Sequence, residues 1–175
     1  MTAIAILGAG PVGRSLALQS ARAGFQVFLE DLIPGNLENA RELISRELNP
    51  GEDLPSIVFA PSIEDAVRHA ELVIDCVPDE LESKLEILWL VDRMAPPRTI
   101  IATPTLNLSI ADLAGCTNRP EKCVAIAAPL TALTSGTSPA LLIRAAPATS
   151  EESVSLVSDL FRRLGLTPTV ERTSD

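Results

Sequence analysis

The chain has 175 residues, 46% of them hydrophobic, and a formal net charge of −9. That length fits one domain over 1–175, which buries roughly 70% of its unfolded surface and needs no disulfide to fold. The charge argues against nucleic acid or an anionic membrane as partner. Cys76, Cys116 and Cys123 match no zinc spacing and fit a reducing cytoplasm, with each thiol a packing residue rather than a nucleophile and no metal site expected. No basic segment precedes the apolar start, so no secretory signal is expected.

The pattern then alternates strand and helix. Residues 3–7 read as a strand and 12–23 as a helix closed by Gly24 in the C′ position. After a strand at 25–30, Asn36 is placed to cap a helix with Leu37, Ala40, Ile44 and Leu48 inside, stopped by Pro50-Gly51. A short strand at 57–60 and a small helix capped by Ser62 follow, then an apolar run at 72–77 interrupted by Asp75, as in buried parallel strands. His69, the one histidine, precedes that run and is expected at the surface.

The helix at 80–94 puts Leu81, Leu85, Leu88 and Val91 on one face and stops at Pro96-Pro97. A strand at 99–103 and a short helix at 109–114 come next, and strands at 124–128, 140–145 and 167–171 complete the chain. The helix between the last two starts on the capping-box pair Thr149 and Glu152 and ends at Leu164-Gly165. No charged residue occurs over the 21 positions from Cys123 to Ile143, yet Pro129, Gly136 and Pro139 break that stretch. It reads as two short buried strands joined by a loop, not as a membrane span.

Within this order lies Gly8-Ala9-Gly10-Pro11-Val12-Gly13, between the first strand and the first helix. The first glycine allows a tight turn, the second lets backbone approach a pyrophosphate, and the third lets the helix pack closely with its amides facing the phosphates. Asp31 ends the next apolar run, near the spacing at which a carboxylate reaches a ribose hydroxyl. Strand, glycines, helix, strand and acid in this order predict a dinucleotide site. Its fold would be a Rossmann-type α/β domain, a doubly wound and mostly parallel sheet. An acid at Asp31 repels a 2′-phosphate and so favours NAD over NADP, while Arg14 just after the glycines is expected to be solvated.

Two families start this way. Residues 8–31 are similar to the FAD site of aromatic-ring flavin monooxygenases, which need several hundred further residues for their other domains. The fuller match is with the NAD-binding N-terminal domain of the 3-hydroxyacyl-CoA dehydrogenases, which the sequence resembles over nearly its whole length. That resemblance rests also on Ala70-Glu71-Leu72-Val73-Ile74-Asp75-Cys76-Val77-Pro78-Asp79 and on Ala95-Pro96-Pro97-Arg98-Thr99-Ile100-Ile101-Ala102-Thr103. Leu108-Ser109-Ile110-Ala111-Asp112-Leu113-Ala114 and Arg119-Pro120-Glu121-Lys122-Cys123-Val124 extend it.

By this resemblance Gly8, Gly10, Pro11, Val12 and Gly13 would cradle NAD and Asp31 would hold its adenosine ribose. Cys76, Val77 and Pro78 would line it, and Asp79 and Lys84 would approach it. Lys84 reads equally well as a helix-surface partner of Glu80. The family's reaction, NAD-dependent oxidation of a hydroxyacyl-CoA in fatty-acid metabolism, uses a His oriented by a Glu, with a Ser and Asn groups at the substrate oxygen. Alignment puts Leu106 at the Ser position, Ala127 at the His position, Leu142 at the Glu position and Pro104 in place of an Asn. No catalytic residue is therefore assigned.

The family's second, helical domain opens with a PGFxxNR-type segment that these 175 residues do not contain. Its absence, with a short arm after the second strand (residues 36–54), puts acyl-CoA binding and the family's dimer in doubt. A homo-oligomer would need another interface. Three readings follow: an NAD(H)-binding sensor or structural subunit without the family's turnover; an active oxidoreductase on a small substrate; or half of a split enzyme. For the second reading Thr103, Thr105, Asn107, Thr131 and Thr134 would line the pocket, with Lys84 as the nearest acid or base.

Overall fold

The computed structural model describes residues 2–48, 56–128 and 140–174. Eight strands form one sheet in the order β3-β2-β1-β4-β5-β6-β7-β8. They are β1 (Ala3–Leu7), β2 (Gln26–Glu30), β3 (Ile57–Phe59), β4 (Leu72–Asp75), β5 (Ile100–Pro104), β6 (Cys123–Ile126), β7 (Ala140–Ala145) and β8 (Thr167–Arg172). Every pairing is parallel except β6 with β7, so the sheet is mostly parallel, as expected.

Both faces are covered. Helices α1 (Pro11–Arg22), α2 (Pro34–Glu47) and α6 (Glu151–Arg163) pack on one face, and α3 (Ile63–Val67), α4 (Leu81–Met94) and α5 (Ile110–Gly115) on the other. The strand sequences dictate this arrangement. In β1, Ile4 and Ile6 enter the α1-side core while Ala3, Ala5 and Leu7 enter the α4-side core. Burying side chains on both sheet faces removes them from water at roughly 1.5–3 kcal/mol for each large one.

Several local expectations shift. The α2 helix is capped by Ile33 with Pro34 in its first turn, and Asn36 lies inside the helix. Because the helix starts two residues earlier, Asn36 is past the capping position, and its side-chain NH2 donates to the charged Asp31 Oδ1 at 3.1 Å. Pro50-Gly51, the expected stop, lies outside the described residues. Leu81 is 52% exposed rather than inside, since it is the first residue of α4, and in that turn it is Lys84 that is buried.

Thr149 does not cap α6; Ser150 does, accepting from Ser153 N. The Thr149 hydroxyl instead accepts from Ala146 N and donates to Cys123 O, both at 2.9 Å, satisfying buried backbone groups between β6 and β7. Ser62 and Ser109 cap α3 and α5, accepting from Asp65 N and Asp112 N. The Arg119 guanidinium is buried and donates to Asp92 Oδ1 at 2.9 Å and to the Pro96 and Asp92 carbonyls at 2.6 Å. It thereby satisfies the open C-terminus of α4 and fixes the segment leading into β6.

Candidate dinucleotide site

The strand order reverses direction around β1, where β2 lies to one side and β4 to the other. Open α/β sheets leave a crevice at such a point, outside the carboxyl ends of the strands. The glycine turn sits there. Gly8 has φ +113° and its amide donates to Glu30 O, tying the turn to the end of β2. A Cβ at Gly13 would lie 1.8 Å from Gly8 O, so α1 approaches the turn more closely than any side chain allows. At Gly10 a Cβ would meet no protein atom within 4 Å. The space beside Gly10 is open, and the protein's own packing does not require glycine there.

Helix α1 has Pro11 in its first turn, no side-chain cap and no acidic residue in that turn. Its first amides lack intrahelical partners and carry the positive end of the helix dipole. This chemistry fits a pyrophosphate. Across the turn, Asp31 Oδ2 accepts from Ala9 N at 2.8 Å and Oδ1 accepts from Ile33 N at 2.9 Å. The carboxylate is thus fixed at the lip of the crevice.

Beside it opens a cleft of about 280 Å³ lined by Leu7, Gly8, Glu30, Asp31, Leu32, Ile33, Cys76, Val77, Pro78 and Ile87. The structure therefore gathers Gly8, Asp31, Cys76, Val77 and Pro78 into one wall, with Gly10, Pro11, Val12 and Gly13 on the adjoining turn. Leu32 and Ile33 are largely exposed and roof it. Leu7, Glu30, Leu32, Ile33 and Ile87 also line the cleft and are not among the residues expected from the sequence. The one sequence signal was the paired acid Glu30-Asp31, whose first member points to the α4 side of the strand by simple alternation.

Lys84 is not the helix-surface partner of Glu80. It is 0% exposed, its Nζ donates to Asp75 Oδ1 at 2.5 Å, and it does not pair with Glu80. Its Nζ also donates to Val77 O at 3.4 Å, which ties α4 to the loop after β4. Burial raises the Asp75 carboxyl above its usual range, against the opposing pull of the Lys84 ammonium and the Thr103 hydroxyl. The neighbouring Cys76 thiol is pushed up to about 12, first by burial and then by the Asp75 charge, which makes it a poor nucleophile.

Arg14 is also not simply solvated: its Nε lies 3.5 Å from Glu47 Oε1 of α2. Asp79 Oδ2 accepts from Leu106 N at 2.9 Å, joining the loops after β4 and β5, while its Oδ1 is buried without a hydrogen-bond partner. Among the described residues no three His, Cys, Asp or Glu side chains converge as a metal site.

Further along the same sheet edge, Ala127 N donates to Leu142 O at 2.8 Å, so the positions aligned with a His and a Glu are neighbours across β6 and β7. Leu106 O accepts from Arg144 Nη1 at 3.5 Å and lies close by. Thr103 and Thr105 are buried, and the Thr105 hydroxyl accepts from Leu108 N at 3.1 Å, closing its loop. Asn107 is exposed. Thr131 and Thr134 lie outside the described residues. His69 is exposed before β4, at the opposite edge of the sheet.

The sequence profile of the family described as "3-hydroxyacyl-CoA dehydrogenase, NAD binding domain" matches residues 3–174. The chain belongs to this family. Its cofactor is NAD. A relative from Mesorhizobium japonicum, 5-formyl-3-hydroxy-2-methylpyridine 4-carboxylate 5-dehydrogenase, is 30% identical over 95% of this chain and 56% of its own length. The probable 3-hydroxybutyryl-CoA dehydrogenase of Bacillus subtilis is 30% identical over 69% of this chain and 46% of its own. A crystal structure of a 5-formyl-3-hydroxy-2-methylpyridine 4-carboxylic acid 5-dehydrogenase, described as an NAD+ dependent dismutase, superposes with a TM-score of 0.81 at 29% identity, covering 98% of this chain and 58% of the other. The chain thus spans about half the length of these curated relatives. Among the described residues no helix is long and apolar enough to cross a membrane.

Proposed function

We propose that this chain is an NAD(H)-binding domain that does not itself perform the family's hydroxyacyl-CoA oxidation. The observation that carries the first half is the uncapped N-terminus of α1 beside the open space at Gly10, with Asp31 fixed across the turn. Gly8, Gly10, Pro11, Val12 and Gly13 hold the pyrophosphate, and Asp31 holds the adenosine ribose. Cys76, Val77 and Pro78 flank the adenosine, and Asp79 and Lys84 shape the adjoining loops. A bound nicotinamide supplies a hydride acceptor or donor; the chain's part is to hold, orient and desolvate it.

The second half rests on Leu106, Ala127 and Leu142. Oxidising an alcohol needs a base within hydrogen-bond reach of the hydroxyl proton, and these side chains have no group that takes one. Absence of a positioned base costs about 10²–10⁴ in rate. The three free cysteines support a reducing, cytoplasmic setting. By its family resemblance the chain serves fatty-acid metabolism, and any self-association would use an interface other than the family's.

Titration calorimetry with NAD, NADP and FAD tests the first half: NAD is expected to bind, NADP at least about tenfold more weakly, and FAD not at all. Following NADH absorbance with acetoacetyl-CoA tests the second, with no consumption above buffer expected; turnover at ordinary enzyme rates defeats it. A second reading, an oxidoreductase on a small non-CoA substrate, draws on the unpartnered, buried Asp79 Oδ1. It predicts dehydrogenation of some small hydroxy acid or aldehyde that Asp79→Asn abolishes.

A further inference from the structure

Glu30 ends β2 with 4% of its surface exposed, and among the described residues its carboxyl has no hydrogen-bond or ion-pair partner. Its residual exposure is to two adjoining clefts. One is the 280 Å³ cleft already described. The other, about 420 Å³, is lined by Glu30, Asp31 and Leu32 together with Pro61, Ile63, Glu64, Leu90 and Met94 of the β3, α3 and α4 region. A buried polar group without a partner costs free energy that a ligand can return.

A base attached to a ribose held at Asp31 lies one glycosidic bond away. Both clefts that touch Asp31 are also walled by Glu30 and Leu32. Each cleft offers hydrocarbon against which a flat base can pack, with the Glu30 carboxyl in its wall. We propose that Glu30 is a specificity-determining residue that reads the hydrogen-bonding edge of the adenine base of the bound dinucleotide. This rests on the NAD reading above and adds the group that recognises the base.

The chemistry matches when the carboxyl is protonated. A neutral carboxylic acid presents an O–H donor beside a C=O acceptor, the pattern by which glutamine pairs with adenine's amino group and ring nitrogen. Burial, followed by the adjacent Asp31 charge, pushes Glu30 up to about 7. Asp31, Glu64 of α3 and Cys76 after β4 are the titratable groups facing these clefts; α4 contributes only Ile87, Leu90 and Met94. Among the described residues no lysine, arginine or histidine lines either cleft to hold Glu30 ionised.

The experiment compares NAD with 1,N6-etheno-NAD, whose base lacks the amino hydrogens, by calorimetry on the unaltered chain, Glu30→Gln and Glu30→Leu, with thermal unfolding to verify folding. The unaltered chain is expected to prefer NAD by about tenfold, the worth of roughly one net hydrogen bond. Glu30→Gln keeps that preference and Glu30→Leu loses it. NAD affinity of the unaltered chain falls from about pH 6 to about pH 8.5 as the donor proton leaves, while that of Glu30→Gln stays level. Equal discrimination in Glu30→Leu and the unaltered chain overturns the proposal even though NAD binds. Failure of the unaltered chain to bind NAD removes the cofactor reading, and this inference with it.

Discussion

Two stretches of one sheet edge differ in kind. Around β1, β2 and β4 the crevice is built from backbone amides, glycine geometry and two acids, with Asp31 fixed by Ala9 N and Ile33 N. Around β5, β6 and β7, Leu106, Ala127 and Leu142 occupy the corresponding edge with hydrocarbon, and Ala127 N donates to Leu142 O. Holding a dinucleotide and reacting with it therefore draw on separate residues. The first needs partial charges fixed in the main chain; the second needs a side chain that takes up a proton.

The severest way to break this contrast is at the glycine turn. Gly13→Val places carbon against Gly8 O and is expected to destabilise the fold by more than about 4 kcal/mol, visible as lost cooperative unfolding. Gly10→Val isolates the ligand's share. Gly10 has φ −62°, which any residue adopts, and nothing of the protein stands near its Cβ. That variant is expected to melt with the unaltered chain yet lose NADH affinity by about a hundredfold, near 2.7 kcal/mol. Undiminished binding by a folded Gly10→Val places the dinucleotide elsewhere.

The next largest effect concerns the buried Lys84–Asp75 pair. Lys84→Met leaves Asp75 buried without its partner and is expected to cost about 3–5 kcal/mol in urea unfolding. Adding Asp75→Leu restores much of that loss, because two apolar groups of similar bulk need no solvation. A Lys84→Met chain of unchanged stability but abolished NADH binding instead makes Lys84 a direct cofactor ligand.

The smallest effect sharpens the comparison within the acid pair. Glu30 carries its raised value, about 7 against an ordinary 4.5, only in the folded state. Between those values the folded chain binds more protons than the unfolded one, so stability falls as pH rises, and the full penalty is present above about pH 7. Glu30→Gln removes the ionisable group. It is expected to raise stability at about pH 8 by on the order of 1 kcal/mol after solvent screening, and to give no gain below about pH 4.5. Equal melting temperatures at both pH values show that Glu30 is not held in its neutral form.

What the residues alone determined is the part governed by local rules. Alternating apolar runs and amphipathic stretches specify strands and helices, Gly24 and Gly165 end helices at φ +84° and +83°, and glycine spacing before Asp31 marks the anion turn. Boundaries and caps followed less well. Asn36 and Thr149 are good cappers by composition, yet Asn36 spends its side chain on Asp31 ahead of the helix and Thr149 on Cys123 O of β6.

Only the tertiary structure decided what Lys84, Glu30 and Arg14 do. Lys84 stands one turn into α4, where sequence leaves an exposed and an inward face both open; packing of α4 on the sheet turns it onto Asp75. Glu30 and Asp31 are adjacent letters with opposite environments, because successive side chains in a strand face opposite ways. One is fixed by main-chain amides at the lip, the other enclosed against α4. The charge state and partner of a side chain depend on what surrounds it in three dimensions. Sequence order does not encode that directly.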